Sequence, residues 1–118
     1  MKRDMDLIRA ILLNVEQQGP PEGWCDVQLP GHTEEKISYH VMLLRDAGLI
    51  EAVDLSSHDG ICWRPKRLTY EGHEFLDAAR NDTFWTKAKA TVIEKTGSLS
   101  MEAVKIALAA IVKQSLGA

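Results

Sequence analysis

Four side chains in this chain of 118 residues carry metal-donor chemistry: Cys25, His32, His58 and Cys62. Zinc takes thiolate and imidazole ligands of this kind, four at a time, usually offered in pairs with short spacers. These four are not spaced as such pairs, and His58 falls in the turn Ser56-Ser57-His58-Asp59-Gly60. The expectation is therefore no metal site, with solvent-facing histidines and two small, half-buried free thiols. Two cysteines also make no disulfide framework. A second cluster, Arg64, Lys66 and Arg67, carries cationic chemistry suited to phosphate oxygens, and such contacts weaken with added salt. Arg45, Lys36, Lys2 and Arg3 are the other cations that a phosphate backbone would meet. Against this stands a simpler role, because basic residues beside Pro65 also keep a sheet edge from unwanted pairing.

Catalysis needs a nucleophile or an acid–base pair held by local geometry. His40 and His73 have no Ser or Cys set beside them by motif. The expected role of His40 is a partly buried imidazole bonded to a backbone carbonyl or a nearby acid. Glu34-Glu35 and the pair Glu71 and Glu74 read as charges at helix N-termini, where the dipole favours them. No glycine-rich phosphate loop occurs, so neither an enzyme nor a cofactor is expected. Trp24, Trp63 and Trp85 read as core or core-edge residues.

The elements that must carry these residues follow from periodicity and punctuation. Asp4 or Asp6 caps a first helix to about residue 18, burying Leu7, Ile8, Ile11, Leu12 and Val15, and Gly19-Pro20-Pro21 ends it. Residues 24–29 alternate well enough for a short strand. Thr33 caps a helix to Ala47 that buries Ile37, Val41 and Leu44. Its opposite side shows Glu35, Ser38, Tyr39, Met42 and Asp46. Residues 52–55 and 61–68 form a hairpin. Thr69 caps the next helix, whose Gly72 permits close backbone packing while Phe75, Leu76 and Ala79 point inward. Asn81-Asp82-Thr83 caps a basic helix to about residue 96, with Gly97 as its stop. The last helix runs to about residue 116 with a large stripe (Met101, Val104, Leu108, Ile111) and a small one (Ala103, Ala107, Ala110).

Composition bounds the class. With 45% hydrophobic and 26% charged residues, the chain reads as an ordinary soluble globular protein. The start of the chain has acids where a signal peptide needs an apolar run, and the longest apolar run is far below the roughly 20 residues that span a membrane. A cytoplasmic protein without membrane contact is expected. Charge is uneven: residues 1–82 carry 9 Lys+Arg against 15 Asp+Glu, whereas residues 83–118 carry 5 against 2. A DNA-binding domain usually has a basic footprint, and here the acidic part is the one holding the hairpin.

Helix, short strand, helix, two-stranded wing and helix, in that order, is the α+β pattern of a winged-helix-like domain over residues 1–82. Residues 83–118 then add two helices and a possible dimerisation element. The chain resembles a bacterial and prophage-encoded family known as domain of unknown function 2513. The resemblance lies in the opening Met1-Lys2-Arg3-Asp4-Met5-Asp6-Leu7-Ile8-Arg9, in Tyr39-His40 with Leu43-Leu44, and in Ala47-Gly48-Leu49-Ile50. It is most specific in Leu68-Thr69-Tyr70-Glu71-Gly72-His73-Glu74-Phe75-Leu76-Asp77 followed by Trp85. It covers nearly the whole chain and implies a winged-helix-like fold in a phage or mobile-element setting, with no activity and no functional residues to carry over. A looser likeness to MarR-type repressors rests on Gly48-Leu49-Ile50 and on Leu68-Thr69 with Gly72. Those proteins have a helix before the recognition helix, for which there is no room between Leu29 and Thr33 here.

Two functions follow as expectations. One is a regulatory protein that binds double-stranded DNA through the wing cations, as a homodimer. The other is a module that binds a protein partner through Tyr39 and Met42 or through Val104, Leu108 and Ile111.

Overall fold

Local signals set the helix ends. The Asp4 carboxylate accepts from the Leu7 N–H and opens α1 (Met5–Gln18), which Gly19 closes at a φ of 75°. The Thr33 hydroxyl does the same for α2 (Glu34–Asp46), accepting from the Lys36 N–H. Such caps each stabilise by about 1 kcal/mol. The computed structural model describes residues 1–19 and 22–117. The part that Pro20 and Pro21 were expected to play in ending α1 lies outside them. Among the described residues the architecture is mixed α and β, with five helices and one two-stranded antiparallel sheet.

The sheet joins β1 (Ile50–Asp54) to β2 (Trp63–Leu68). Its register runs from Ile50 opposite Leu68 to Asp54 opposite Trp63. Glu51 faces Arg67, but the next residue, Ala52, faces Pro65. Lys66 is therefore the extra residue of a β-bulge. Between the strands, the Leu55 N–H donates to the Cys62 carbonyl at 2.7 Å, and Ser57 and Gly60 bond each other reciprocally.

The expected strand at residues 24–29 does not form. The Cys25 N–H donates to the Pro65 carbonyl at 2.7 Å, but no ladder follows. An antiparallel pair needs a bond in each direction, and proline has no N–H to return one. Toward Val27 the same antiparallel register would next meet Trp63, whose N–H goes to the Ser38 hydroxyl instead. The segment has no regular secondary structure, with Cys25 and Val27 buried and Trp24, Asp26 and Gln28 exposed.

The chain divides into two compact units, Met1–His73 and Glu74–Ala118. In the first, α1 contributes Leu7, Ile8, Ile11, Leu12 and Val15, α2 contributes Ile37, Val41 and Leu44, and the strands and their approach contribute Leu49, Ile50 and Leu68. All are at most 5% exposed, and each large aliphatic side chain buried in this way stabilises by roughly 1.5–3 kcal/mol, more than any cap. Ser38 is a correction: it was placed on the open side of α2 but is fully buried, where its hydroxyl accepts from the Trp63 N–H at 3.3 Å.

α3 (Tyr70–Ala79) starts at Thr69, whose hydroxyl donates to the Gly48 carbonyl at 2.6 Å and accepts from the Gly72 N–H at 3.0 Å. In the second unit, α4 (Asp82–Thr96) is capped by Asn81 and ended by Gly97 in the left-handed conformation. It lies against α5 (Met101–Gly117). Trp85, Ala88, Val92, Val104 and Leu108 are buried, and Phe75 meets Trp85 edge-on at 6.2 Å between ring centroids. Among the described residues, no helix is long and apolar enough to cross a membrane.

Candidate functional site

Arg64 was expected to reach phosphate. It is held by its own unit instead. Its Nη2 donates to Oε1 of Glu34, the first residue of α2, and its guanidinium lies 5.7 Å from the centroid of the Trp24 ring. The hydrogen bond it donates to Glu34 raises its pKa further, against burial, with Cys62 and Asp26 adding to the rise. Only 15% of the side chain is exposed. Stacking and pairing together leave Arg64 little freedom to grip a second anion.

Three other cations, Arg67, Lys36 and Arg45, follow the same pattern. Arg67 forms an ion pair with Glu51, Nη2 to Oε2 at 2.6 Å, across the register pair of the hairpin, and donates to the Leu68 carbonyl at 3.0 Å. Lys36 Nζ meets Asp4 Oδ2 at 3.3 Å. Arg45 lies over Trp63 at 5.9 Å and beside Asp46 at 3.8 Å. Lys66, at the bulge, is exposed and has no ion pair among the described residues. Lys2 and Arg3 are exposed at the start of the chain.

Of the residues expected to meet a protein partner, Tyr39 and Met42 are half-buried on α2, and Tyr39 meets the His40 ring edge-on at 5.8 Å. Val104 and Leu108 are 0% and 1% exposed, which removes them from any open partner face. Ile111 is half-buried. The large apolar side chains that α5 does expose are Ile106 and Leu116.

The four candidate metal donors do not gather. Among the described residues, no group of three or more His, Cys, Asp or Glu side chains could hold an ion. Cys25 is buried, its thiol lies 3.7 Å from the Lys66 carbonyl, and burial raises its pKa. Cys62 is half-buried.

His40 is fully buried and takes the backbone bond expected of it. Nδ1 lies 2.8 Å from the Lys36 carbonyl, and Nε2 accepts from the Asp4 N–H at 2.8 Å. This pattern needs a neutral ring with its proton on Nδ1. Burial lowers the pKa of His40; Lys36 and His32 add to that, against the Lys36 carbonyl and the Asp4 charge.

Between residues 26–30 and the start of α2 lies a cavity of about 470 Å³, lined by those five residues with His32, Glu34 and Ile37. Among the described residues, His32 Nδ1 and Arg64 Nε are buried without a hydrogen-bond partner; His32 lines this cavity, and Arg64 is bonded to Glu34, which does. The sequence reading missed Glu34, Glu51 and Asp4 as the neutralising acids. The hairpin register could have disclosed Glu51, since cross-strand neighbours pair by charge. Glu34 and Arg64 stand 30 residues apart, and no local signal joins them.

Comparison with known proteins gives kinship. An uncharacterized protein of Haemophilus influenzae (strain Rd) is 44% identical over 120 residues, spanning 98% of this chain and 99% of its own. No solved structure matches. The profile of the family described as Hypothetical protein (DUF2513) matches residues 2–98, and the chain belongs to that family.

Proposed function

We propose that the first unit is a winged-helix-type module of a mobile element that is not catalytic and recognises a protein partner. The observation that carries this reading is the internal neutralisation of its cations. Arg64, Arg67 and Lys36 are matched by Glu34, Glu51 and Asp4. A surface that binds DNA draws its affinity from cations free to replace counterions on phosphates, and pairing within the fold removes that source. α2, which would enter the groove, opens with Glu34 and Glu35 and offers Tyr39 and Met42 beside them. Self-association through α5 belongs to the same reading and is supported by Ile106 at 62% and Leu116 at 83% exposure.

A second reading, a DNA-binding regulatory protein, is favoured by Lys66, which the bulge leaves exposed beside Arg67. A salt series on mixed-sequence duplex DNA separates the two. The protein-recognition reading expects no measurable binding at about 50 mM salt, where phosphate contacts are strong. Affinity that falls steeply with salt, and that is lost when Arg64, Lys66 and Arg67 become alanine, would establish the regulator instead.

A further inference from the structure

α5 has apolar surface on two sides, and the second unit uses one of them. Val104 and Leu108, one turn apart, are 0% and 1% exposed. At about 3.6 residues per turn, the opposite side carries Glu102, Ile106, Ala109 and Lys113. All four are exposed, Ile106 at 62%, and Leu116 on the same side reaches 83%. Glu102 and Lys113 have no ion pair among the described residues.

The order of residues on that side selects the occupant. Glu102 and Lys113 lie equally far from the midpoint between Ala107 and Leu108, and so do Ile106 and Ala109. A second copy running antiparallel about a two-fold axis at that midpoint sets acid against base at both ends. At the centre it sets a large side chain beside a small one. Such self-complementarity is what an isologous contact requires. Parallel pairing would instead oppose Glu102 to Glu102 and Lys113 to Lys113. Ala109, with Ala110 beside it, lets the helix axes approach the short end of the usual range of roughly 8–10 Å. A helix of 17 residues is about 26 Å long. One such pair makes a small interface, below the roughly 1,200 Å² of standard complexes, so the association is reversible.

We propose that two copies of this chain pair through antiparallel α5 helices, held in register by reciprocal ion pairs between Glu102 and Lys113 around a centre of Ile106 and Ala109. The proposal rests on the self-association reading above and gives it a partner and a register.

Sedimentation equilibrium on the full chain tests it. The parent is expected to show a monomer–dimer equilibrium with Kd in the micromolar range. Glu102→Lys and Lys113→Glu are each expected to weaken that dimer about tenfold or more at low salt, because each places like charges at both ends. Mixing the two variants is expected to restore pairing as a heterodimer, since one then carries lysine at both positions and the other glutamate. Restoration also verifies that both variants fold. In the unsubstituted chain, amide resonances of Glu102, Ile106 and Ala109 are expected to shift with concentration. No dimer in the parent up to about 1 mM would remove both the proposal and self-association through α5. A parent dimer that neither variant weakens, that mixing fails to restore, or whose shifts lie away from this side of α5 would overturn the register and leave self-association standing.

Discussion

Gly72→Ala is expected to lower stability by about 3 kcal/mol or more and to drop Tm by roughly 10 °C or more. The reason is steric. A methyl group on Gly72 would sit 2.0 Å from the Leu49 carbonyl oxygen and 3.0 Å from its carbon. Both are backbone atoms, and the same oxygen accepts from the Thr69 N–H at 3.0 Å, so it cannot yield without breaking the start of α3. In an open helix the substitution has the opposite sign, because alanine is favoured over glycine by up to about 1 kcal/mol. Gly117 lies in α5 with nothing within 4 Å of its added methyl group, and Gly117→Ala is the matched control. Urea melts of both variants check the prediction. A Gly72→Ala protein as stable as the parent would mean that α3 and the Leu49 turn are not in contact.

Acid is expected to loosen the fold through His40. Its pKa in the fold is lowered from the ordinary value of 6.5, because the ring is buried and its Nε2 is needed as an acceptor. Well above pH 6.5 the ring is neutral in both folded and unfolded chains, and it adds no slope. Below that, the unfolded chain takes up a proton that the folded chain refuses, so stability falls with falling pH by at most about 1.4 kcal/mol per unit. Protonation would turn Nε2 into a donor facing the Asp4 N–H, and the tie between the start of α1 and α2 would open. Burial raises the Asp4 carboxyl, but the Leu7 N–H and Lys36 outweigh that and hold its pKa below 3.8, so its share is lost only at lower pH.

Denaturant melts between pH 5 and 8 measure this slope. His40→Gln keeps an amide able to bond both partners without titrating, and its profile is expected to be flatter. His40→Leu leaves the Asp4 N–H unpartnered, at a cost of about 1–3 kcal/mol across the whole range. A His40→Gln protein with the slope of the parent would assign the acid sensitivity elsewhere.

These two sites also mark what the sequence discloses. Helix ends were legible because they depend on a few adjacent residues: Asp4, Thr33 and Asn81 cap, Gly97 stops, and Thr69 with Gly72 fixes α3 against Leu49. The core positions followed from helical spacing, and α1 buries all five residues that the pattern named. What failed depends on partners distant in the chain. Alternation at residues 24–29 promised a strand, but a strand exists only with a neighbour able to bond it, and Pro65 is not one. Ser38 mapped to the open side of α2, yet the Trp63 N–H draws it inward. The cations of β2 looked available because charge in a sequence says nothing of which carboxylate will stand beside it. Glu51 was within reach of register reasoning; Glu34 was not.

The central claim is that the first unit neutralises the hairpin cations Arg64 and Arg67, and removing the neutralising acids tests it most directly. Glu34→Gln with Glu51→Gln would free Arg64 and Arg67 beside the exposed Lys66. Binding to mixed-sequence duplex DNA is then measured against salt, for the parent and the double variant. The account predicts no affinity for the parent and a new, salt-sensitive affinity for the variant, with log K falling by roughly 0.9 per phosphate engaged for each tenfold rise in salt. A parent that already binds with such a slope, matched by a variant no tighter, would contradict it.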